Sequence, residues 1–230
     1  MRVIAGIHRS RQLTAPKGTT TRPTSDRLRE TLFNIIAPRI PDCRFLDLYA
    51  GTGAVGIEAL SRGAARVEFV EQAPKALKVL RGNLERLGLS AGFRIHTSAV
   101  GAFLRRLQVA SENTGVVVSH PSRKNKDAAR VGHPATTGVK LDLVFLDPPW
   151  DAAAQYTVTL GLLGGSASGL LADGALIIAE HRRKVRLEDR YGSLERARLL
   201  EQGDAALSFY ATSQCSTDRA GSSQDQILLK

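Results

Sequence analysis

The feature of this sequence that most constrains its fold is the segment 144–150. It reads VFLDPPW: three apolar residues run into an acid, two prolines and the only tryptophan of the chain. An apolar run without polar alternation predicts a parallel strand that is covered on both faces. The prolines end that strand because neither can donate to a neighbouring strand. Asp147 and Trp150 are therefore expected just past the carboxyl end of a strand, where open α/β sheets bind ligands.

This turn has the groups needed to hold a nucleobase by its exocyclic amine. Asp147 and the carbonyl of Pro148 could accept the two N–H bonds of guanine N2 or adenine N6, which would localise the nitrogen lone pair. Pro149 keeps the turn rigid, and Trp150 could stack on the base, a contact worth roughly 1–3 kcal/mol. An extruded base would fit this arrangement. The same residues could also form an ordinary strand-ending turn with a surface tryptophan.

A second motif lies upstream, between a strand predicted at 44–48 and a helix that follows it. The turn contains Tyr49, Gly51 and Gly53, and glycines allow a ligand to approach the backbone at the start of a helix. The next strand, at 67–70, ends on Glu71. This acid lies 20 residues after Gly51, the distance expected for an acid that binds a ribose diol.

The glycine turn alone would also fit a dinucleotide-binding fold. Two features favour S-adenosylmethionine instead. Asp47, just before the end of the strand, could meet the amino-acid half of that cofactor. The downstream Asp-Pro-Pro turn has no use in a hydride-transfer enzyme.

The composition limits the partners and the compartment. A net charge of +10, from 32 basic and 22 acidic residues, favours an acidic polymer such as nucleic acid. The chain has no run of 18 apolar residues and no signal-peptide pattern, so we expect a soluble, cytoplasmic protein without a membrane partner. The two cysteines form no framework, and the five histidines show no metal-ligand spacing, so no metal site is predicted.

Residues 1–30 are the most basic region, with seven Lys and Arg against two acids. Glycines and prolines divide it into short pieces, which predicts a strand or hairpin arm. A helix then begins after a Thr24 or Ser25 cap and stops before Pro38. We interpret the arginines as contacts to phosphates, although a flexible basic terminus is the alternative for the arm alone. These arginines are Arg9, Arg11, Arg22, Arg27 and Arg29.

The rest of the chain alternates strands and helices around one polar segment. Residues 109–140 are rich in charged residues, glycine and proline, which predicts a mobile insertion. Ser98 and Ala99 follow the third strand, where an adenine ring could lie. Residues 182–201 are expected to be irregular. Glu180 could be a site residue, but an ordinary strand-end acid is the favoured interpretation. The other predicted elements are helices at 74–88, 99–107 and 152–163 and strands at 93–96, 174–179 and 205–212.

At this point the chain resembles the RsmD-type 16S ribosomal RNA (guanine-N2) methyltransferases. The resemblance covers most of residues 1–108 and 141–181. It rests on four blocks: RVIAG at 2–6 with Arg9 and Arg11, RPTSDR at 22–27 continuing to Phe33 and Asn34, LDLYAGTG at 46–53, and DPPW at 147–150. The arginine-rich second block separates this family from other amino-methyltransferases.

The resemblance implies a class I methyltransferase fold, which is Rossmann-like with a mostly parallel seven-stranded sheet. It implies S-adenosylmethionine as methyl donor and a guanine of 16S rRNA as target, in free rRNA, the small ribosomal subunit or its assembly intermediate. Phe33 and Asn34 would lie close to the cofactor. The chain departs from the family pattern at Trp150, where Tyr or Phe is usual, at Ser98, where Asp or Asn often stands, and in the insertion.

The expected organisation is a basic arm and helix over 1–40, a methyltransferase domain over 41–213 and a flexible tail over 214–230, in a monomer. Three other functions compete. A DNA adenine-N6 methyltransferase shares both motifs, a nicotinamide oxidoreductase shares the glycine turn, and a non-catalytic RNA-binding or ribosome-assembly protein would explain the charge alone.

Overall fold

Alternating strands and helices build one central sheet in the computed structural model, which describes residues 1–15, 26–113, 140–149 and 152–212. The helices are α1 (Asp26–Ile36), α2 (Ala54–Ser61), α3 (Pro74–Arg86), α4 (Val100–Asn113) and α5 (Ala154–Gly164). The strands are β1 (Arg44–Leu48), β2 (Arg66–Glu71), β3 (Phe93–Thr97), β4 (Leu141–Leu146), β5 (Leu171–Arg182), β6 (Arg190–Tyr191), β7 (Leu194–Gln202) and β8 (Ala205–Thr212).

The strands described form a sheet in the order β3-β2-β1-β4-β5-β8-β7-β6. The five strands from β3 to β5 are parallel, and β8, β7 and β6 are antiparallel to their neighbours. The direction of winding reverses between β1 and β4, and ligands bind at such a reversal in α/β sheets. The predicted mostly parallel α/β fold is confirmed, with the two-residue β6 as an eighth strand beyond the seven expected.

The two faces of the sheet carry separate apolar cores. Helices α1, α2 and α3 cover the face that contains Phe45, Phe145 and Ile178. Helices α4 and α5 cover the opposite face, which contains Val144 and Ile177. This double cover explains why β1 and β4 are buried along almost their whole length and contain adjacent apolar residues instead of a strict alternation.

The N-terminal arm is a hairpin, as the sequence predicted. Arg2 and Gln12 form an antiparallel bridge. The Val3 amide donates to the Arg11 carbonyl at 3.0 Å, and the Ser10 amide donates to the Val3 carbonyl at 2.9 Å. Val3 and Leu13 are buried in the core beside α1 and α2, so the arm is part of the folded domain.

Helix α2 holds the hairpin through two polar side chains. The buried Glu58 carboxylate accepts the amides of Ile4 at 2.7 Å and Ala5 at 2.9 Å. The Ser61 hydroxyl donates to the Ala5 carbonyl at 2.6 Å and accepts the His8 amide at 3.0 Å. Buried polar groups are stable only when they are paired in this way. The arm therefore has a fixed position on α2.

Two parts of the chain differ from the sequence-based expectation. Residues 182–201 were expected to be irregular, but they include β6 and most of β7. The sequence did not predict β7 because the strand contains many charged residues. Glu195 and Glu201 are exposed and alternate with less exposed positions, at the antiparallel side of the sheet. Helix α4 continues to Asn113, beyond the predicted start of the insertion at 109. Residues 114–139 of the predicted mobile insertion at 109–140, and the predicted tail at 214–230, lie outside the described residues.

Gly6→Ala should release the hairpin from α2. Gly6 has a φ of +82°, and a Cβ there would lie 1.8 Å from the Ser61 carbonyl oxygen. We expect a loss of stability larger than the roughly 1–2 kcal/mol of left-handed strain alone, and faster tryptic cleavage at Arg9 and Arg11. Urea denaturation and limited proteolysis measure the two effects.

The matched control is Gly88→Ala, because Gly88 also has a positive φ, +72°, but open space around it. The control should lose stability through strain and keep its arm protected. Equal protection of the arm in both variants would contradict the proposed docking of the hairpin.

Candidate active site

The glycine turn joins β1 to α2 through an unusual run of backbone angles. Tyr49, Gly51 and Gly53 have φ values of +60°, +55° and +78°. A Cβ at Gly53 would lie 2.2 Å from Cδ1 of Leu80 on α3, so only glycine fits there. Tyr49 adopts the left-handed region despite its side chain, which is a strained conformation of the kind that collects at functional sites. The turn brings the chain directly into the amino end of α2, whose residues are all buried.

Asp47 is buried beneath this turn. Its Oδ2 accepts the Gly56 amide at 2.9 Å, so the carboxylate binds one of the free N–H groups at the start of α2. Burial raises the pKa of Asp47 to about 8; the Gly56 amide opposes this effect, and the negative charge of Glu71 adds to it. The predicted cofactor-binding acid is therefore present at the turn, in a setting that penalises its charge.

Glu71 ends β2 beside the glycine turn, as the spacing predicted. Its Oε2 accepts the Gly51 amide at 2.8 Å, and its Oε1 accepts the amides of Gln72 at 2.8 Å and Ala73 at 2.7 Å. A carboxylate offers about four lone-pair sites. Glu71 thus fixes the turn and still has acceptor capacity for the hydroxyls of a ribose.

Asn83 on α3 is a site residue that the sequence reasoning missed. Its Oδ1 accepts the Thr14 amide at 2.8 Å, and its Nδ2 donates to the Thr14 carbonyl at 3.1 Å and to the Thr52 carbonyl at 3.0 Å. One buried amide therefore joins the end of the arm to the glycine turn. The available signal was a polar residue within the buried stripe that also contains Leu80 and Leu84.

Asp147 follows β4, as predicted, on the side of the sheet that α1 to α3 cover. The register pairs Leu48 of β1 with Leu146 of β4, so the Asp-Pro-Pro turn lies next to the glycine turn. Burial raises the pKa of Asp147 well above its usual range, and the nearby charges of Glu180 and Asp47 raise it further. Pro148 is buried and Pro149 is exposed, while Trp150 lies outside the described residues.

Two tyrosine hydroxyls hold helix α5 against this edge of the sheet. The Tyr49 hydroxyl donates to Gln155 Oε1 at 3.2 Å and lies 2.8 Å from Thr159 Oγ1. The Tyr156 hydroxyl donates to the Glu180 carbonyl at 2.7 Å. The predicted site residue Tyr49 therefore directs its hydroxyl to α5, which connects the glycine turn to the helix after the Asp-Pro-Pro turn.

The remaining predicted cofactor residues differ in exposure. The Ser98 amide donates to the Glu71 carbonyl at 3.1 Å, which places the end of β3 beside the acid that ends β2. Ala99 and Asn34 are exposed, whereas Phe33 is fully buried under the Arg62 guanidinium, 4.9 Å from the ring centroid. Phe33 is therefore a core residue rather than a surface for a cofactor.

The predicted RNA-binding arginines fall into three groups. Arg9, Arg11 and Arg27 are exposed, and Arg11 also donates to the Arg86 carbonyl at 2.9 Å. Arg29 is a correction: it is fully buried and donates to Asp26 at 2.9 Å and to the Arg2 carbonyl, so its guanidinium cannot meet a phosphate in this conformation. Arg22 lies outside the described residues.

The described residues contain neither a metal-binding cluster nor a helix that could span a membrane. Over 1–15, 26–113, 140–149 and 152–212, no group of three His, Cys, Asp or Glu side chains could hold a metal ion. Within the same ranges, no helix is long and apolar enough to cross a membrane.

Comparison with known proteins shows where this combination of features occurs. The sequence model of a family described as "Conserved hypothetical protein 95" matches residues 1–128 and 105–211. A Bacillus subtilis protein named "Putative rRNA methyltransferase YlbH" is 33% identical over 213 residues, which cover 91% of this chain and 98% of that protein. The Escherichia coli "Ribosomal RNA small subunit methyltransferase D" is 35% identical over 180 residues, covering 78% of this chain and 74% of that protein.

Solved structures agree with the sequence relatives. The structure of "Putative methyltransferase yhhF from Escherichia coli" superposes with a TM-score of 0.69 at 31% identity, over 92% of this chain and 97% of that one. The structure described as "SMU.776, a putative methyltransferase complexed with SAH" has a TM-score of 0.56 at 13% identity, over 81% of this chain and 48% of that one. The second likeness concerns the fold alone.

Asp47→Asn should make the folded state less sensitive to pH. The raised pKa means that the folded protein binds this proton more tightly than the unfolded chain, so the stabilisation is complete below about pH 4 and is lost as pH rises through about 8. The asparagine keeps an oxygen for the Gly56 amide and carries no charge. At pH 8 we expect its unfolding free energy to exceed that of the wild type by roughly 1–4 kcal/mol.

Urea denaturation between pH 4 and pH 8.5 measures this difference. The control is Asp204→Asn, since Asp204 is an exposed acid between β7 and β8. Parallel pH curves for the wild type and Asp47→Asn would show that the Asp47 carboxyl is not the source of the penalty.

Asn83→Asp should weaken both the arm and the glycine turn. The substitution keeps an acceptor for the Thr14 amide. It places a carboxylate oxygen against the Thr14 and Thr52 carbonyls, which in the wild type accept hydrogen bonds from Asn83 Nδ2. We expect a loss of roughly 1–3 kcal/mol in stability and weaker binding of S-adenosylmethionine, measured by denaturation and calorimetry. Thr14→Ala, which keeps the backbone groups that Asn83 binds, should bind the cofactor normally; an equal loss in both variants would contradict the role of the amide.

Proposed function

This chain belongs to the RsmD-type family, and on that premise we propose that it transfers a methyl group from S-adenosylmethionine to the N2 amine of a guanine in 16S rRNA. Relatives named as rRNA methyltransferases support the broader activity, rRNA methylation. The position on guanine and the role of each residue are the finer part of the proposal. The substrate would be free rRNA, the small ribosomal subunit or an assembly intermediate.

The observation that carries the proposal is the juxtaposition of two turns at the carboxyl edge of the sheet. The register of Leu48 with Leu146 places the turn after β1 directly beside the turn after β4. The first turn has the acids and the glycines that suit a cofactor. The second has Asp147 and a Pro-Pro backbone that suit an amine. A donor and an acceptor bound at these turns would meet, and holding reactants together in this way is worth up to about 7–11 kcal/mol.

The residues of the first turn fit S-adenosylmethionine. Glu71 has acceptor capacity for the ribose hydroxyls, and Ser98 and Ala99 lie beside it at the end of β3, where the adenine would be placed. Asp47 would face the amino group of the methionine moiety. Because a cationic partner favours the ionised form of an acid, that amino group would offset the raised pKa of Asp47. When bound, the cofactor supplies a methyl group on a sulfonium leaving group.

The residues of the second turn would orient the guanine amine. The ionised Asp147 carboxylate accepts one N–H bond, and the Pro148 carbonyl accepts the other, so that the nitrogen lone pair points toward the cofactor side. Trp150 would stack on the base. No covalent intermediate on the protein is needed, so these residues contribute orientation and electrostatic stabilisation.

The arm would position the RNA on this site. Arg9 and Arg27 are exposed on the hairpin and at the start of α1, and the chain as a whole carries a net charge of +10. Contacts of basic side chains to phosphates fix the register of a nucleic acid without reading its sequence. We therefore assign Arg9, Arg11, Arg27 and Arg22 to the RNA and leave Arg29 to the core.

Asp147→Ala should abolish most of the turnover while the cofactor still binds. The variant loses the acceptor that orients the amine, and the loss of such a group typically costs about 10²–10⁴-fold in rate. The assay follows labelled methyl transfer from S-adenosylmethionine to unmodified small subunits, free 16S rRNA and duplex DNA, with nucleoside analysis of the product. Calorimetry should show cofactor affinity within a few-fold of the wild type.

The control variant is Asp173→Asn, a fully exposed acid on β5, which should transfer methyl normally. Formation of N2-methylguanosine in rRNA by the wild type supports the proposed reaction. N6-methyladenine in DNA would replace the substrate and keep the site. Near wild-type turnover of Asp147→Ala would refute the role of Asp147.

A further inference from the structure

Glu180 lies beside Asp147, although nothing in the sequence separates it from an ordinary acid at the end of a strand. The register of β4 with β5 pairs Phe145 with Ile178 and Leu146 with Ala179, so the next residues along the two parallel strands are Asp147 and Glu180. Neighbouring strands are about 4.8 Å apart. The two acids therefore occupy adjacent positions at the carboxyl edge of the sheet.

The side chains of both acids belong to the same face of the sheet. Phe145 and Ile178 are packed in the core under α1 to α3, and side chains two residues apart on a strand point to the same side. Asp147 and Glu180 each follow by two residues. Glu180 is only 6% exposed. Both carboxyls are thus held on the side of the sheet that the proposed reaction uses.

The surroundings of Glu180 fix its backbone. The Tyr156 hydroxyl donates to the Glu180 carbonyl, and the next residue, His181, lies on the other face with its Nε2 2.9 Å from the Ser208 hydroxyl. The Tyr156 and His181 rings also meet edge to face, with centroids 6.2 Å apart. These contacts hold the backbone of Glu180 at the edge of the sheet, next to Asp147.

The charged and titratable groups around the two acids come from every element that packs here. Asp47 on β1 contributes a third carboxyl, and Tyr156 on α5 has its pKa raised by burial and by the charges of Asp147 and Glu180. Arg29 on α1 is the buried cation that interacts with Glu180, and it also interacts with Glu58 on α2. Burial and the like charges of Glu180 and Asp47 all disfavour the ionised form of Asp147 and raise its pKa.

We propose that Glu180 and Asp147 form an adjacent pair of carboxyls, and that through its negative charge Glu180 makes Asp147 the acceptor of the proton released by the methylated amine. The inference rests on the function proposed above and assigns a role to one further residue of that site. Glu180 acts through Asp147 and does not itself contact the base, so it is a positioning residue.

The proton balance of the reaction explains why such a pair is useful. The amine nitrogen would use its lone pair to form a bond to the methyl carbon and would become positively charged, while the bond from that carbon to the sulfonium sulfur breaks and its electrons stay on sulfur. One N–H bond then breaks, its electrons stay on nitrogen, and the proton passes to the Asp147 carboxylate. A base works best when its pKa lies near the working pH. An isolated aspartate, with a pKa of about 4, would be a weak base. Burial and the negative charge of Glu180 raise the pKa of Asp147 and make it a stronger base.

The test is the pH profile of methyl transfer by Glu180→Gln. The substitution removes the like charge that raises the pKa of Asp147, so we expect the acidic limb of kcat/KM to move to lower pH by about one unit or more. The plateau rate should fall several-fold because Asp147 becomes a weaker base. Glu180→Asp retains the charge and should leave the limb near its wild-type position. Glu85→Gln, on the exposed side of α3, is the matched control.

A second measurement does not depend on activity. In the free protein, the ¹³C carboxyl signals of Asp147 and Glu180 should titrate together in two steps, as coupled acids do. In Glu180→Gln, Asp147 should titrate in one step at a lower pH than the main Asp147 step of the wild type. Asp47→Asn should preserve the two coupled steps.

The outcomes separate the two proposals. An acidic limb that stays in place in Glu180→Gln, or an Asp147 titration that this variant does not move, would overturn the pair. Coupled titration together with the absence of methyl transfer by the wild type at any pH would keep the pair and refute the proposed reaction. A shifted limb with a shifted titration supports both.

Discussion

The parallel register of β1, β4 and β5 is the constraint on which the site depends. Because parallel strands end at the same edge, acids at or near their carboxyl ends come together although they are far apart in sequence: Asp47, Asp147 and Glu180 are separated by 100 and 33 positions, yet they share one face. Phe145 and Ile178, which precede two of these acids on their strands, are buried in the core. A shift of the strand register by one residue would turn the acids toward the helices on the opposite face of the sheet. The packing of the core therefore fixes the positions of these three acids.

Placing carboxyls at a buried edge has a cost in stability, and the surrounding structure offsets only part of it. The Gly56 amide supports the charge of Asp47, and Arg29 supplies a buried cation near Glu180. The pKa values of Asp47 and Asp147 nevertheless stay above their usual range. Perturbed acids of this kind concentrate at functional sites, because an unassisted fold would replace them by apolar residues. A cationic cofactor that favours the ionised acids, or a substrate that releases a proton to them, would offset part of this cost in stability.

The sequence predicted the elements and motifs that depend on local patterns, and missed those that depend on tertiary contact. Apolar runs and glycines located β1, β2 and β4 and the two turns, since burial on both faces leaves a direct signature in composition. Asn83 lies in the middle of a predicted apolar stripe, and its three backbone partners become visible only once Thr14 and Thr52 are brought together. Arg29 was assigned to the surface because a charge on a helix is usually solvated. Glu180 was interpreted as an ordinary strand-end acid because its neighbour in space, Asp147, is on another strand.

The position of the arm shows why a basic N-terminus is built into the domain instead of trailing from it. Glu58 and Ser61 fasten the hairpin to α2, and Asn83 fastens Thr14 to the glycine turn. Exposed arginines on this hairpin therefore keep a fixed distance from the turn proposed to bind the cofactor. Phosphate contacts carry no sequence information by themselves, but phosphates held at a fixed distance from a narrow catalytic edge restrict which nucleotide can reach it. In the proposed reaction, the selection of one base would thus arise from the rigidity of the arm as well as from the residues of the two turns.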